Sequence, residues 1–312
     1  MVIKTMKPNV LVTGGSGFIG RHVIESLNDM NVNISNIDRK EPAADLNMYE
    51  YIKGDISTIN CGEFRRTHKI DAVIHLAANV SLKVDIQKHW FLNVPSHVYT
   101  DSMGTFNMLR CVHPAPVIFT STAAQYGEGE DIAEDAPLKC ENFYGYSKSL
   151  SERMIEASGQ KYVMYRLGTV IGPYGRTFPN RLVWCAVNKV PVKVFNNGHN
   201  KRSFIDARDV AWALTSTKPD INVPQGIYNL ADEPCEYRDV IDLVNMYAAE
   251  YDCELEYSYT AEVPKGLAAK VTLDTWKIRD TLDWSPDITL DQSIIDMFKY
   301  YSGADAKEPA EW

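Results

Sequence analysis

Val10-Leu11-Val12-Thr13-Gly14-Gly15-Ser16-Gly17-Phe18-Ile19-Gly20 decides how the chain begins to fold. Residues suited to a buried strand run into glycines at 14, 17 and 20, and from Phe18 a helical spacing takes over. Gly14 permits a tight turn, Gly17 lets a pyrophosphate approach the backbone, and Gly20 lets the helix pack against the strand. The helix start at Phe18 and Ile19 then faces the phosphates with free N–H groups. A second strand ends at Asp38, eighteen residues after Gly20. A carboxylate there accepts hydrogen bonds from an adenosine ribose and repels a 2′-phosphate, so the two features together predict NAD in preference to NADP. Arg39 alongside weakens that preference without reversing it.

Working outward, residues 10–13, 33–38, 72–77, 117–122 and 162–167 have the length and composition of buried strands. Residues 18–30, 87–111 and 144–158 have the spacing of helices. Strand–helix alternation of this kind predicts an α/β fold, a doubly wound parallel-sheet Rossmann domain. From about Gly168, prolines punctuate shorter elements, which predicts a smaller mixed α/β substrate lobe. The expected division is 1–168 with 203–217 for the NAD-binding domain, and 169–202 with 218–312 for the second lobe. Residues 303–312 read as a loose tail.

Composition narrows the class. At roughly 150 residues per domain, 312 residues suggest two lobes. Acidic residues number 41 against 32 basic, a net charge of −9, which excludes a bulk nucleic-acid surface. No apolar run approaches the eighteen or so residues that span a bilayer, and glycines interrupt the N-terminus before a signal core can form, so a cytoplasmic protein is expected. The six cysteines are scattered without a CxxC pair and read as reduced thiols. No cluster has metal-ligand spacing.

A second constellation lies at Thr120-Ser121-Thr122-Ala123-Ala124-Gln125-Tyr126-Gly127, followed by Tyr144-Gly145-Tyr146-Ser147-Lys148. Tyr144 and Lys148 are four apart and share a helix face, which sets an ammonium beside a phenol. A tyrosine with a pKa of about 10 is a poor base at neutral pH, and a neighbouring cation makes its phenolate accessible. Thr122, ending a strand, can orient a substrate oxygen.

These stretches resemble the extended short-chain dehydrogenases/reductases, in the branch of NAD-dependent nucleotide-sugar epimerases and dehydratases. Gly54-Asp55-Ile56 resembles the segment whose Asp meets the adenine amino group, and His75-Leu76-Ala77-Ala78 the fourth-strand stretch passing the cofactor. Tyr165-Arg166-Leu167-Gly168 resembles the family's sixth strand, and Val192-Lys193-Val194-Phe195 its uracil-side strand. Arg202-Ser203-Phe204-Ile205-Asp206 resembles the segment whose Arg binds a nucleotide diphosphate. Gly226-Ile227-Tyr228-Asn229-Leu230 and Leu282-Asp283-Trp284-Ser285-Pro286 match landmarks near the C-terminus. The resemblance implies Thr122, Tyr144 and Lys148 as catalytic residues. It implies Gly14, Gly17, Phe18, Ile19, Gly20, Asp38, Asp55, Ile56, Leu76, Ala77 and Ala78 as NAD contacts, with Thr169, Phe195, Arg202 and Val271 on the substrate side. It also implies a nucleotide-diphosphate sugar as substrate and a homodimer paired through the helices near 87–111 and 144–158.

Departures from the family pattern narrow the reaction. Dehydratases and decarboxylases of this branch carry acidic residues just after the strand-end hydroxyl, where this chain has Ala123 and Ala124. Hydride transfer at a carbinol remains: a UDP-hexose or UDP-N-acetylhexosamine 4-epimerase working through a transient 4-keto sugar. A 4-ketoreductase of an activated deoxysugar would use the same residues, although Asp38 speaks for NAD where reductases draw on NADPH. A dinucleotide-binding protein without catalysis is the reading of another class, against which the intact Thr122, Tyr144 and Lys148 speak. Thr169 and Asp101 each stand where the family often has an Asn, and Lys265 stands near a missing Arg. Asp274 resembles the family's Asp or Asn before the closing landmark, and counting back from it the resemblance implies Val271 at the position that limits sugar bulk in the 4-epimerases.

Other residues have plainer explanations. His75 reads as a packed core histidine, Tyr126 as packing near the cofactor, and the acidic run from Glu128 to Asp135 as a solvated loop. Trp90 and Phe91 divide between core and dimer face. Asp206 and Asp209 read as capping and packing residues.

Overall fold

The computed structural model describes residues 7–42, 50–80, 98–217, 224–264 and 268–303. The chain divides into two compact units, one of Met1–Gln125, Asn142–Arg166 and Ala211–Tyr228, the other of Tyr126–Glu141, Leu167–Val210 and Asn229–Trp312. Relative to the expected boundaries, 126–141, 167–168 and 203–210 fall in the second unit and 218–228 in the first. Among the described residues no helix is long and apolar enough to cross a membrane.

The first unit is built on a sheet of seven strands: β1 (Asn9–Thr13), β2 (Asn33–Asp38), β3 (Glu50–Lys53), β4 (Ala72–His75), β5 (Val117–Thr122), β7 (Tyr162–Leu167) and β11 (Gly226–Leu230). Their order is β11-β7-β5-β4-β1-β2-β3, with β1 between β2 and β4 and these pairs parallel. Parallel strands need crossovers, and the helices supply them on both faces. Against one face lie α2 (Cys61–Thr67), α3 (Gly104–Val112) and α4 (Phe143–Ala157). Phe64, Met108, Leu109, Val112 and Ile155 from these helices close over Leu11, Val73, Val117 and Phe119. Helix α1 (Phe18–Asn28) follows β1 and buries Val23, Ile24 and Leu27. This is the doubly wound α/β fold read from the glycine stretch.

Three local expectations change. β4 stops at His75, and the edge strand β3 was not foreseen: both of its ends are charged and exposed, which hides the apolar signal. Of the helix expected over 87–111, a wide π-type turn at Val98–Met103 and α3 lie within the described residues. Trp90, Phe91 and Lys265 lie outside the described residues, as does nearly all of the expected tail.

The second unit holds β6 (Gly129–Ile132), β8 (Thr169–Ile171), β10 (Lys201–Asp206), β12 (Pro234–Glu236) and β14 (Lys270–Leu273) in one sheet, and the parallel pair β9 (Val192–Val194) and β13 (Tyr257–Tyr259). Helices α5 (Phe178–Asn188), α7 (Tyr237–Ala248) and α9 (Leu290–Tyr301) share a core of Leu182, Val183, Val240, Ile241, Ile294 and Phe298; α6 is Ala207–Ser216 and α8 is Trp276–Leu282. The acidic run is largely exposed, as expected, but it is not all loop. Part of it is β6, whose Glu130 pairs with Lys201 and Lys270 at 2.9 Å each. Neighbouring ammonium groups make an acidic strand tolerable there.

Candidate active site

The glycine loop is shaped by what it excludes. Gly14 has a φ of +77°, and a Cβ on it would stand 2.8 Å from the Ala77 nitrogen. A Cβ on Gly20 would run into the Gly14 carbonyl oxygen. Only glycine satisfies both positions without moving backbone. Asn36, which the sequence reading passed over, fixes the loop: its Oδ1 accepts from the Gly15 N–H at 2.9 Å. The N-cap of α1 is Gly17, with no capping side chain and no acidic residue in the first turn. The N–H groups of the helix start are thus left for an anion, which suits a pyrophosphate. Asp38 closes β2 beside this loop, accepting from the Ser16 N–H at 3.0 Å. Its neighbour Arg39 extends towards Asp55 at 3.7 Å, and Asp55 also accepts from the Ser57 hydroxyl at 2.7 Å. Ile56 is buried, and the N–H groups of Leu76 and Ala77 both reach the Thr13 hydroxyl oxygen at 3.2 Å. The residues present fit a dinucleotide.

At the end of β5, the half-buried Thr122 accepts from the Ala124 N–H at 3.2 Å and bonds the Tyr144 phenol. Tyr144 and Lys148 sit one turn apart on α4, started by Asn142, whose side chain accepts from the Gly145 N–H. Lys148 is 2 % exposed and donates to the Thr120 carbonyl at 2.7 Å. Burial pushes its pKa down to about 8, against the pull of the Asp101 and Glu152 carboxylates. Burial, and then Asp101, hold the Tyr144 phenol above its ordinary value, while the Thr122 bond works the other way. The expected triad is therefore assembled within one unit.

Beneath it lies a polar cluster. His75 is fully buried, with Nδ1 2.6 Å from the Thr13 hydroxyl and Nε2 3.0 Å from that of Thr105. Thr105 donates to the Asp101 carbonyl at 2.5 Å, so His75 Nε2 carries the proton and Nδ1 accepts from Thr13. Burial, then Lys148, push the imidazole down to about 3. It is a neutral packed histidine, as read from the sequence. Gln125 donates to Ser121 and Glu152 at 2.8 and 2.5 Å, and Glu152 pairs with Arg166 at 2.8 Å in full burial.

In the second unit, the buried Tyr126 donates to the Asn229 side chain at 2.8 Å. Asn229 in turn donates to the carbonyls of Ile132 and Asp274. The Arg202 guanidinium donates to the carbonyls of Lys201 and Ala269 at 2.8 Å and to that of Ala268. Arg202 and the half-buried Val271 stand opposite each other in the parallel pair β10/β14. Thr169 opens β8, and the Phe195 ring carries the Lys193 ammonium at 5.1 Å. Asp206 accepts from the Arg208 backbone and the Ser293 hydroxyl, and Asp209 accepts from the N–H groups of Asp287 and Ile288.

Residues 10–231 match the model of the NAD dependent epimerase/dehydratase family. A dTDP-D-glucose 4,6-dehydratase of Mus musculus is 26% identical over 327 residues, covering 94% of this chain and 88% of that protein. A UDP-glucose 4-epimerase of Azospirillum brasilense is 36% identical over 190 residues, 54% of this chain and 52% of that protein. The structure of a UDP-glucose 4-epimerase of Thermus thermophilus in complex with NAD superposes with a TM-score of 0.80 at 23% identity, covering 95% of this chain and 99% of that one.

Proposed function

Because the chain belongs to the NAD dependent epimerase/dehydratase family, we propose that it is a nucleotide-diphosphosugar 4-epimerase, acting on a UDP-hexose or UDP-N-acetylhexosamine through a transient 4-keto sugar. The observation that carries this choice is the short turn after Thr122. Ala123 and Ala124 form that turn beside the triad, and neither can deliver a proton to a leaving hydroxyl. The triad itself is complete, so alcohol oxidation keeps its machinery where water elimination loses its acid.

NAD, when bound, supplies the acceptor and donor of the C4 hydride and a positive charge, so that no external oxidant is consumed. Gly14, Gly17 and Gly20 with the N–H groups of Phe18 and Ile19 hold its pyrophosphate, and Asp38 its ribose. Asp55, Ile56, Leu76, Ala77 and Ala78 take the rest of the dinucleotide. Tyr144 removes the proton of the sugar 4-hydroxyl and later returns it. Lys148 stabilises the phenolate, and Thr122 orients the sugar oxygen. Thr169, Phe195 and Arg202 take the nucleotide diphosphate, and the short Val271 leaves space for an N-acetyl group. Tyr99, Met103, Phe106, Tyr146 and Leu150, exposed on the turn before α3 and on α3 and α4, support a homodimer.

The test is incubation of the purified protein with UDP-glucose, UDP-galactose and their N-acetylated counterparts, followed by proton NMR of the anomeric region. A 4-epimer of at least one sugar is expected. A 4-keto-6-deoxy product, or no conversion of any sugar, would overturn the proposal.

A further inference from the structure

Asp101 is a buried carboxylate that the reaction as described does not use. It is 2 % exposed and lies in the wide turn before α3. Its Oδ2 accepts from the Ser147 hydroxyl at 2.7 Å, and its Oδ1 accepts from the Asn79 N–H at 2.7 Å. Its backbone carbonyl accepts from the Ser151 hydroxyl at 3.1 Å and from Thr105 at 2.5 Å. Residues 144, 147, 148 and 151 lie at i, i+3, i+4 and i+7 of α4, so Asp101 docks on the stripe that presents Tyr144 and Lys148.

We infer that Asp101 is a positioning residue, the counter-ion of the Tyr144–Lys148 pair, and that it sets the pH at which that pair works. This rests on the reading of Tyr144 as the acid–base group. Among the described residues, the groups facing the pair from each packed element are few. β4 brings neutral His75, and β5 brings Phe119, Thr120 and Thr122, none of which carries charge. α4 itself brings Glu152, whose charge is shared with Arg166 of β7. Asp101 differs from Glu152 in that its charge acts on both members of the pair. Its field disfavours the phenolate and favours the ammonium, and both groups titrate higher for its presence. Lys148 therefore stays charged in a site whose burial would otherwise neutralise it, at the expense of a later phenolate.

Asp101→Asn is the informative change, because the amide keeps both contacts: Oδ1 accepts from Asn79 and Nδ2 donates to the Ser147 oxygen. With the charge gone, both limbs of the kcat pH profile should move to lower pH by roughly one unit. Asp101→Ser, a second neutral variant, should move them the same way, and Asp101→Glu should restore the original position. A purely structural role would lower the whole profile without displacing it. The tyrosinate absorbance that Tyr144→Phe removes supplies a readout independent of turnover, and it should emerge at lower pH in Asp101→Asn. Unmoved limbs and an unmoved tyrosinate titration in folded neutral variants would overturn the inference. Full turnover in Tyr144→Phe would instead overturn the acid–base reading on which it stands, and the tyrosinate titration tells the two failures apart.

Discussion

The Lys148 ammonium stands 6.0 Å from the centre of the Tyr144 ring, anchored by the Thr120 carbonyl at 2.7 Å. That anchor keeps the cation on the site side of α4, where its field acts on the phenol. Removing the ammonium leaves burial and Asp101 opposing the phenolate against the Thr122 bond that favours it. Lys148→Ala should lower turnover and move the acid limb of its pH profile upward, since Tyr144 then loses its proton only at higher pH. Above about 8 the wild-type lysine also begins to lose its charge, so the two profiles should converge on the alkaline side. Profiles of kcat against pH for both proteins check this, and coincident acid limbs would remove Lys148 from its role.

Asp38 offers a test of cofactor choice. Its carboxylate closes β2 and accepts from the Ser16 N–H, next to the helix start that takes the pyrophosphate. Asp38→Ala removes both the ribose acceptor and the charge that repels a 2′-phosphate. Calorimetry should show the ratio of the NADP and NAD dissociation constants falling towards one. An unchanged ratio would assign selectivity to another group.

Glu152 and Arg166 make the stability prediction. Both are almost fully buried and bonded at 2.8 and 3.1 Å. Glu152→Ala leaves a guanidinium uncompensated in the interior, which costs about 3–5 kcal/mol. Urea unfolding should report that loss as a lower midpoint with the slope retained. A change under about 1 kcal/mol, typical of an exposed pair, would show that the pair contributes little.

What the sequence made legible, and what it hid, reflects the range of the forces. Gly14 and Gly20 were legible because backbone sterics leave no other residue, and Tyr144 and Lys148 because a helix turns local spacing into adjacency. Thr122 was legible from its place at a strand end. Asp101 and Ser147 are 46 residues apart, and only the packing of α4 against the turn before α3 joins them. Gln125 and Tyr126 are sequence neighbours that point to different partners, Glu152 and Asn229, and no periodicity separates their directions. The strand β6 was hidden for a similar reason: its exposed acidic residues carry no apolar alternation, and the Lys201 and Lys270 beside Glu130 come from other strands.

Val271 tests the substrate side. It is a short residue on β14, opposite Arg202 on β10. Val271→Tyr should suppress turnover of a UDP-N-acetylhexosamine at least tenfold more than that of the plain hexose, roughly the effect of a steric clash worth 1.4 kcal/mol or more. The ratio of kcat/KM for the two sugars is the measurement. Equal losses would remove Val271 from the pocket.

The fate of a C4 label tests the central claim most directly. A nucleotide hexose carrying deuterium at C4, the epimerising carbon, is incubated with the protein in ordinary water, and the products are read by deuterium and proton NMR. Epimerisation with a retained hydride predicts deuterium at C4 of both epimers, with none lost to solvent. Deuterium found at C6 beside a new ketone would mean water elimination, and would contradict the account.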